Sequence, residues 1–300
     1  MIKVGRPDAT FPAGIVVAPN GNYMYIADSG SNTISVISTV NNTIISNISI
    51  GNTSTNGHPS RLAITPNGKY LYVSSRVISI ISTFNNTVVN TIKINDDGAN
   101  KIAFSPDGNY AYAAICCSSN NSVLKIATGN NTVIGRIPVG GQPFGVALTP
   151  DGRYLYVTSI HTDNVTVIST YENAIVDSIN VGALQSGIAS VPDGAYVYVA
   201  DNNVSVIATA NNSVVYTING INSPEGVAAT PDGKYVYVSY EAVSNTSFTP
   251  VASVLSTPTK VNNTIPPIYI ITIIILVILI AVLYRIGRRA RIAEELQRLP

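Results

Sequence analysis

The sequence predicts an all-β chain, a β-propeller of four-stranded blades followed by one apolar membrane-spanning segment. Three observations predict it. Pro-Asp/Asn-Gly recurs at Pro19, Pro66, Pro106, Pro150, Pro192 and Pro231, at spacings of 47, 40, 44, 42 and 39 residues. Each copy stands in the same frame between two short apolar stretches, with no helical pattern between copies. One long uncharged run, Ile268 to Tyr284, follows the last copy.

The unit can be justified strand by strand from its fourth copy. Gly145-Val-Ala-Leu-Thr149 reads as the first strand, and Pro150-Asp151-Gly152 as its hairpin turn. Pro presets φ at the second turn position and Gly accepts φ > 0 near its end. Tyr154-Leu-Tyr-Val-Thr158 is the second strand, and a loop that differs between copies follows. Asn164-Val-Thr-Val-Ile-Ser-Thr170 is the third strand; an Asn-rich turn leads to a fourth ending in Ile179-Asn-Val-Gly182. Four antiparallel strands repeated about every 42 residues define a propeller blade. The paired tyrosines, from Tyr23/Tyr25 to Tyr235/Tyr237, recur at period two and read as blade packing.

Six copies predict six blades, or seven if another unit precedes Met1. The last copy has a third strand, Val251 to Thr257, and no clear fourth. Ile2-Lys3-Val4-Gly5 matches the fourth-strand endings Ile137-Pro-Val-Gly140 and Ile179-Asn-Val-Gly182, so the N-terminal strand is expected to complete the final blade and close the ring.

Thr65-Pro-Asn-Gly-Lys-Tyr-Leu-Tyr-Val-Ser74, Thr149-Pro-Asp-Gly-Arg-Tyr-Leu-Tyr-Val-Thr158 and Thr230-Pro-Asp-Gly-Lys-Tyr-Val-Tyr-Val-Ser239 resemble the YVTN-type β-propeller repeat. The resemblance spans residues 1 to about 258. It implies kinship with archaeal surface-layer and other cell-surface propeller proteins; similar propellers also occur in lactonase-like and redox proteins.

The C-terminal run is seventeen residues without a charge, preceded by Pro266-Pro267 and followed by Arg285, Arg288, Arg289 and Arg291. With its flanks it approaches the roughly 30 Å needed to cross a bilayer. The arginines put its C-terminal end in the cytoplasm. The expected organisation is a propeller over 1–258, a linker over 259–267, a transmembrane helix over 268–284 and a short basic tail over 285–300. The propeller would then be extracellular on a single-pass membrane protein, although no signal peptide is visible at Met1. A cytosolic, tail-anchored scaffold is the other topology.

Composition excludes several classes. Residues 1–264 hold 12 basic and 14 acidic side chains, so no basic surplus is available for nucleic acid. Two cysteines and two histidines leave no thiolate-rich or histidine-rich metal site, and no cofactor is implied. Cys116-Cys117 reads either as a strained vicinal disulfide or as two small apolar side chains at a strand end.

Strand alternation places the Pro-Asp-Gly and Asn-Asn-Thr turns on one face, turned toward the membrane, and the variable loops on the other. Innermost strands carry Gly14, Gly145, Gly187 and Gly226 five residues before the turn proline; Arg61 and Lys101 take that place in the second and third units. With Arg76 on the second outer loop they are candidates for an anionic ligand, with solvated residues or pairs to Asp96, Asp97 or Glu225 as the other reading. His161 and Asp163 share the fourth outer loop and complete the ligand-binding candidates. Asp28, Asp201, Glu241 and His58 occupy comparable loops. A metal-assisted hydrolase would need such groups to converge, but no spacing demonstrates this, and no Gly-x-Ser-x-Gly elbow is present. No catalytic residue is assigned.

Eleven Asn-x-Ser/Thr sequons are present. Those at Asn41, Asn85, Asn130 and Asn211 read as turns, because Asn tolerates left-handed backbone. Those on outer loops, Asn120, Asn164, Asn203 and Asn245, read as glycan acceptors if the domain is exported. The sequence thus points to a membrane-anchored surface propeller that binds, adheres or builds a surface layer, with the bilayer and a cell-surface protein or glycan as partners. The alternative is an exported lactonase-like enzyme acting at the outer channel mouth.

Overall fold

The computed structural model describes residues 11–51, 57–94, 98–116, 121–183, 185–221, 223–244, 247–257 and 270–271. Six four-stranded antiparallel sheets follow one another along the chain, each in simple sequential order. In blade 4 these strands are Pro143–Leu148, Tyr154–Ser159, Asn164–Ser169 and Ala174–Asn180. The innermost strands of successive blades, beginning with Pro12–Val17, Arg61–Ile64 and Ala99–Phe104, pack side by side. The architecture is an all-β, six-blade propeller of four-stranded blades.

Core sits between blades. Five clusters of buried side chains each draw on two neighbouring blades, such as Tyr72, Ile78 and Ile80 of blade 2 with Ile102, Ala113 and Leu124 of blade 3. A sixth, small cluster (Ile26 and Ile37, with Met24 and Ile44) lies on blade 1 alone. The tyrosine pairs behave as blade packing: Tyr72, Tyr112 and Tyr156 are buried, while Tyr70, Tyr110 and Tyr154, two residues earlier, are exposed. Residues two apart share one face of a strand, and the exposed tyrosine of each pair is the first residue of its strand, beside the turn, while its partner lies deeper between blades.

The turns repeat down to single hydrogen bonds. Gly68, Gly108, Gly152, Gly194 and Gly233 all adopt φ near +70°, as the Pro-Asp/Asn-Gly turn requires. In the Gly108, Gly152 and Gly194 turns the glycine carbonyl accepts a bond of 2.6 Å from the threonine that follows the same blade's third strand, as Thr170 Oγ1 does to Gly152 O. Thr39, Thr83 and Thr257 make the equivalent contact in the remaining blades. Asn42, Asn86, Asn131 and Asn212 in the Asn-Asn-Thr/Ser turns have φ between 52° and 58°, the left-handed conformation expected of them. Two of these turns are clamped from a neighbouring blade, where Tyr72 Oη donates to Asn131 Oδ1 and Tyr156 Oη to Asn212 Oδ1.

The last blade departs from the expected closure. Its fourth strand is Ile270–Ile271, paired antiparallel with Leu255 and Val254. Two β-branched residues that were expected to lie inside the membrane segment therefore occupy the sheet edge. Ile2–Gly5, the linker, the rest of segment 268–284 and the tail lie outside the described residues. No helix among the described residues is long and apolar enough to cross a membrane.

Candidate functional site: two cations in the axial channel

The glycines of the innermost strands are there because blades crowd at the axis. A Cβ on Gly14 would lie 2.6 Å from Ser60 O, one on Gly145 would lie 2.7 Å from Ser186 O, and one on Gly187 would lie 2.7 Å from Glu225 O. Each obstacle is rigid backbone of the next blade. Arg61 and Lys101 occupy the equivalent position in blades 2 and 3, and the space they use is the channel itself.

Both cations reach beyond their own blades. Arg61 Nη1 donates to Ala13 O of blade 1 at 2.7 Å, and its guanidinium lies 5.4 Å from the centre of the Phe144 ring of blade 4. Lys101 Nζ donates to Ile188 O of blade 5 at 2.7 Å, which spans the blade between. Beside it, Asn100 Nδ2 donates to Pro143 O at 3.0 Å. Among the described residues, neither cation makes an ion pair, and Nε and Nη2 of Arg61 meet no acceptor. Lys101 spends one of three N–H donors on a neutral carbonyl.

Electrostatics follow from that placement. Burial pushes the Lys101 ammonium down to about 8, and the neighbouring Arg61 charge pushes the same way. Burial also lowers Arg61, with the exposed Glu225 carboxylate partly offsetting it. Two partly desolvated positive charges with open donors have the chemistry to hold an anion, since a carboxylate or phosphate would supply the missing acceptors and relieve the repulsion between them.

The other candidates lie elsewhere. Arg76 is exposed, its Cγ close to where a Cβ of Gly57 would stand, at 2.8 Å. His161 and Asp163 are exposed on the turn between the second and third strands of blade 4, where the Asp163 carbonyl accepts the Val181 and Gly182 amides. Asp28 and Asp201 are buried and fasten their own loops. Asp28 Oδ1 accepts the amides of Phe11 and Gly30, and Asp201 takes Asn203 N and Ser205 Oγ. His58 Nδ1 donates to Ser29 O. Among the described residues no three His, Cys, Asp or Glu side chains come together closely enough to hold a metal ion. Asn164 Oδ1 accepts from Asn180 Nδ2, and Asn203 is half-buried. Cys116 is buried; Asn120, Asn245, Cys117, Asp96 and Asp97 lie outside the described residues, as does the Glu241 side chain.

Sequence reading missed Phe144 and Asn100 as channel residues, and the carbonyls of Ala13 and Ile188 as anchors. Their only available signal was position, since all stand in innermost strands within two residues of the glycine frame.

These features define a β-propeller with a cation-lined axial channel. Its family is shown by a match to the model described as "Lactonase, 7-bladed beta-propeller" over residues 1–96 and 78–174, more than half of the chain. The chain belongs to that family, with six sheets among the described residues. It is also similar to the uncharacterized protein YwhL of Bacillus subtilis (strain 168), with 37% identity over 153 residues, 49% of this chain and 31% of that protein's length. A structure titled "Kuenenia stuttgartiensis Hydrazine Synthase" matches with a TM-score of 0.70 and 22% identity over 84% of this chain and 78% of that one, a likeness of fold.

Proposed function

We propose that this protein is a cell-surface binding propeller that takes a small carboxylate-bearing ligand in its axial channel, tethered through the apolar residues that follow Ile271. The convergence of Arg61 and Lys101 carries the reading. Both are partly withdrawn from water, hold only carbonyls, and come from positions where four other blades have glycine. The uncharged residues that follow Ile271, up to Tyr284, and the arginines behind them support the tether and its orientation. The Phe144 ring beside Arg61 gives the ligand's carbon body an apolar wall.

Calorimetric titration of the full chain in detergent with gluconate, and with glucose as the uncharged comparison, tests the site. Gluconate should bind and glucose should not, and Arg61→Met should weaken gluconate at least tenfold. Equal binding of both sugars, or gluconate binding unchanged in Arg61→Met, overturns the site. The family match favours one second reading, hydrolysis of a lactone at the same channel. Base titration during incubation with gluconolactone separates the two: acid release above the spontaneous rate, lost in Lys101→Met, selects the enzyme.

A further inference from the structure

The turns between third and fourth strands combine two features that the channel does not explain. In blades 1, 2, 3 and 5 they read Asn41-Asn42-Thr43, Asn85-Asn86-Thr87, Asn130-Asn131-Thr132 and Asn211-Asn212-Ser213, each an intact sequon. The first Asn is exposed in all four. Its Oδ1 accepts the hydroxyl of the third residue at 2.8 Å in every copy. No described acceptor engages its Nδ2. The carboxamide is thus held by its oxygen, with its nitrogen facing solvent.

The second feature is apolar exposure. Val40 and Phe84, immediately before the sequons of blades 1 and 2, are 82% and 97% exposed. A phenylalanine almost wholly in water at a loop tip contributes nothing to a core and favours self-association. A sugar on the adjacent asparagine would lay its C–H face over that ring.

We infer that Asn41, Asn85, Asn130 and Asn211 are N-glycosylation sites, forming a rim of glycans on the face that bears the Pro-Asp-Gly turns. The inference rests on the export reading above. It moves the acceptors away from Asn164, which is half-buried in a strand, and from half-buried Asn203. The chemistry is supplied by an external transferase and an activated sugar phosphate. The Nδ2–C1 bond forms as the C1–O bond of the donor breaks, the phosphate leaves with the electron pair, and an amide proton passes to the transferase. Blade 4 provides an internal control. Its turn has the same shape, with Asn173 at φ 54° and Tyr171 93% exposed, yet Tyr171-Glu172-Asn173-Ala174-Ile175 contains no sequon.

The test uses the full chain recovered from membranes of its own cells, with peptide mass mapping and with protease treatment of the intact cells. Sugar-mass additions are expected on the peptides carrying Asn41, Asn85, Asn130 and Asn211, and none on the Tyr171 turn. Thr87→Val should remove the addition at Asn85 completely and leave the other three. Bare asparagines on a chain that protease reaches from outside overturn the glycan assignment while sparing export. A chain protected in intact cells overturns export and the assignment with it. Retention of the mass at Asn85 in Thr87→Val also overturns it, since the sequon hydroxyl would then be irrelevant.

Discussion

Replacing Lys101 by methionine should make the protein more stable, and the gain should depend on pH. Lys101 has an ordinary value of 10.5, and burial beside Arg61 brings it to about 8 in the fold. The folded state therefore binds its proton less tightly than the unfolded chain does. Below pH 8 both states are protonated and the fold bears the whole penalty. Between pH 8 and 10.5 the folded state deprotonates first, so stability rises with pH and the penalty fades. At about 1.4 kcal/mol per pH unit, the penalty at neutral pH is at most about 3.5 kcal/mol. Lys101 keeps part of its surface open to the channel, which discounts that figure. Methionine matches the aliphatic stem and loses one hydrogen bond to Ile188 O, worth roughly 1 to 2 kcal/mol. The expected net gain at pH 7 is about 1 to 2 kcal/mol. Urea midpoints by far-ultraviolet circular dichroism for both chains between pH 6.5 and about 10.5 read it directly, because tyrosine titration is common to both and cancels in the difference. The difference should shrink through pH 8 and above. A methionine variant less stable than the parent at pH 7, or a difference that ignores pH, refutes the picture of a desolvated channel lysine.

Gly187→Ala should destabilise the blade 5–6 junction by roughly 1 to 3 kcal/mol, because its Cβ would lie 2.7 Å from Glu225 O and 2.9 Å from Val227 N, both backbone; the urea midpoint reads the loss. Thr170→Val should cost about 1 kcal/mol by leaving Gly152 O without its hydroxyl donor, again by urea midpoint. Tyr156→Phe should cost a similar amount by releasing Asn212 Oδ1, and amide exchange should quicken in the blade 5 turn. Asp107, Asp151 and Asp232 are held below their ordinary values chiefly by the Ser105, Thr149 and Thr230 hydroxyls, so their contribution is present above about pH 4 and lost as pH falls further. The triple Asp→Asn chain, which copies the Asn67 turn of blade 2, should show a shallower fall in midpoint between about pH 4 and 2.

The blade was legible in the sequence because its determinants are local. A turn proline, a glycine with φ > 0 and a two-residue alternation each act within ten residues, and six copies make the register plain. The threonine that follows each third strand could have been read in the same way, since it recurs at Thr39, Thr83, Thr128, Thr170, Thr209 and Thr257. Its bond partner lies 15 to 24 residues earlier in the chain. The channel was legible only as a broken pattern, two cations where glycine was expected. That Lys101 meets a carbonyl 87 residues away depends on how the ring curves, which no local rule specifies. The acidic loop residues misled for the opposite reason. Asp28 and Asp201 resemble ligands in sequence, but each stands where its own loop offers backbone donors, and folding uses them there. The Ile-x-Val-Gly match at Ile2–Gly5 falls outside the described residues, and such a short edge-strand match could not foretell that Ile270–Ile271 pairs with Leu255 and Val254 at that edge.

Function in a repeat protein is best sought where the repeat is broken at a cost. The fold does not need either channel cation, since four blades fill the same place with glycine. Keeping Arg61 and Lys101 there means holding two like charges near each other with part of their hydration removed, which works against folding. The carbonyls of Ala13 and Ile188 satisfy single donors without neutralising either charge. What would offset the cost is an anion with at least two acceptor oxygens, bound in the ring and absent from the unfolded chain. Such a ligand would raise the Lys101 value as it binds. Its affinity should therefore be highest below pH 8 and fall as pH rises through that value, whereas a channel cation of purely architectural use would show no such coupling.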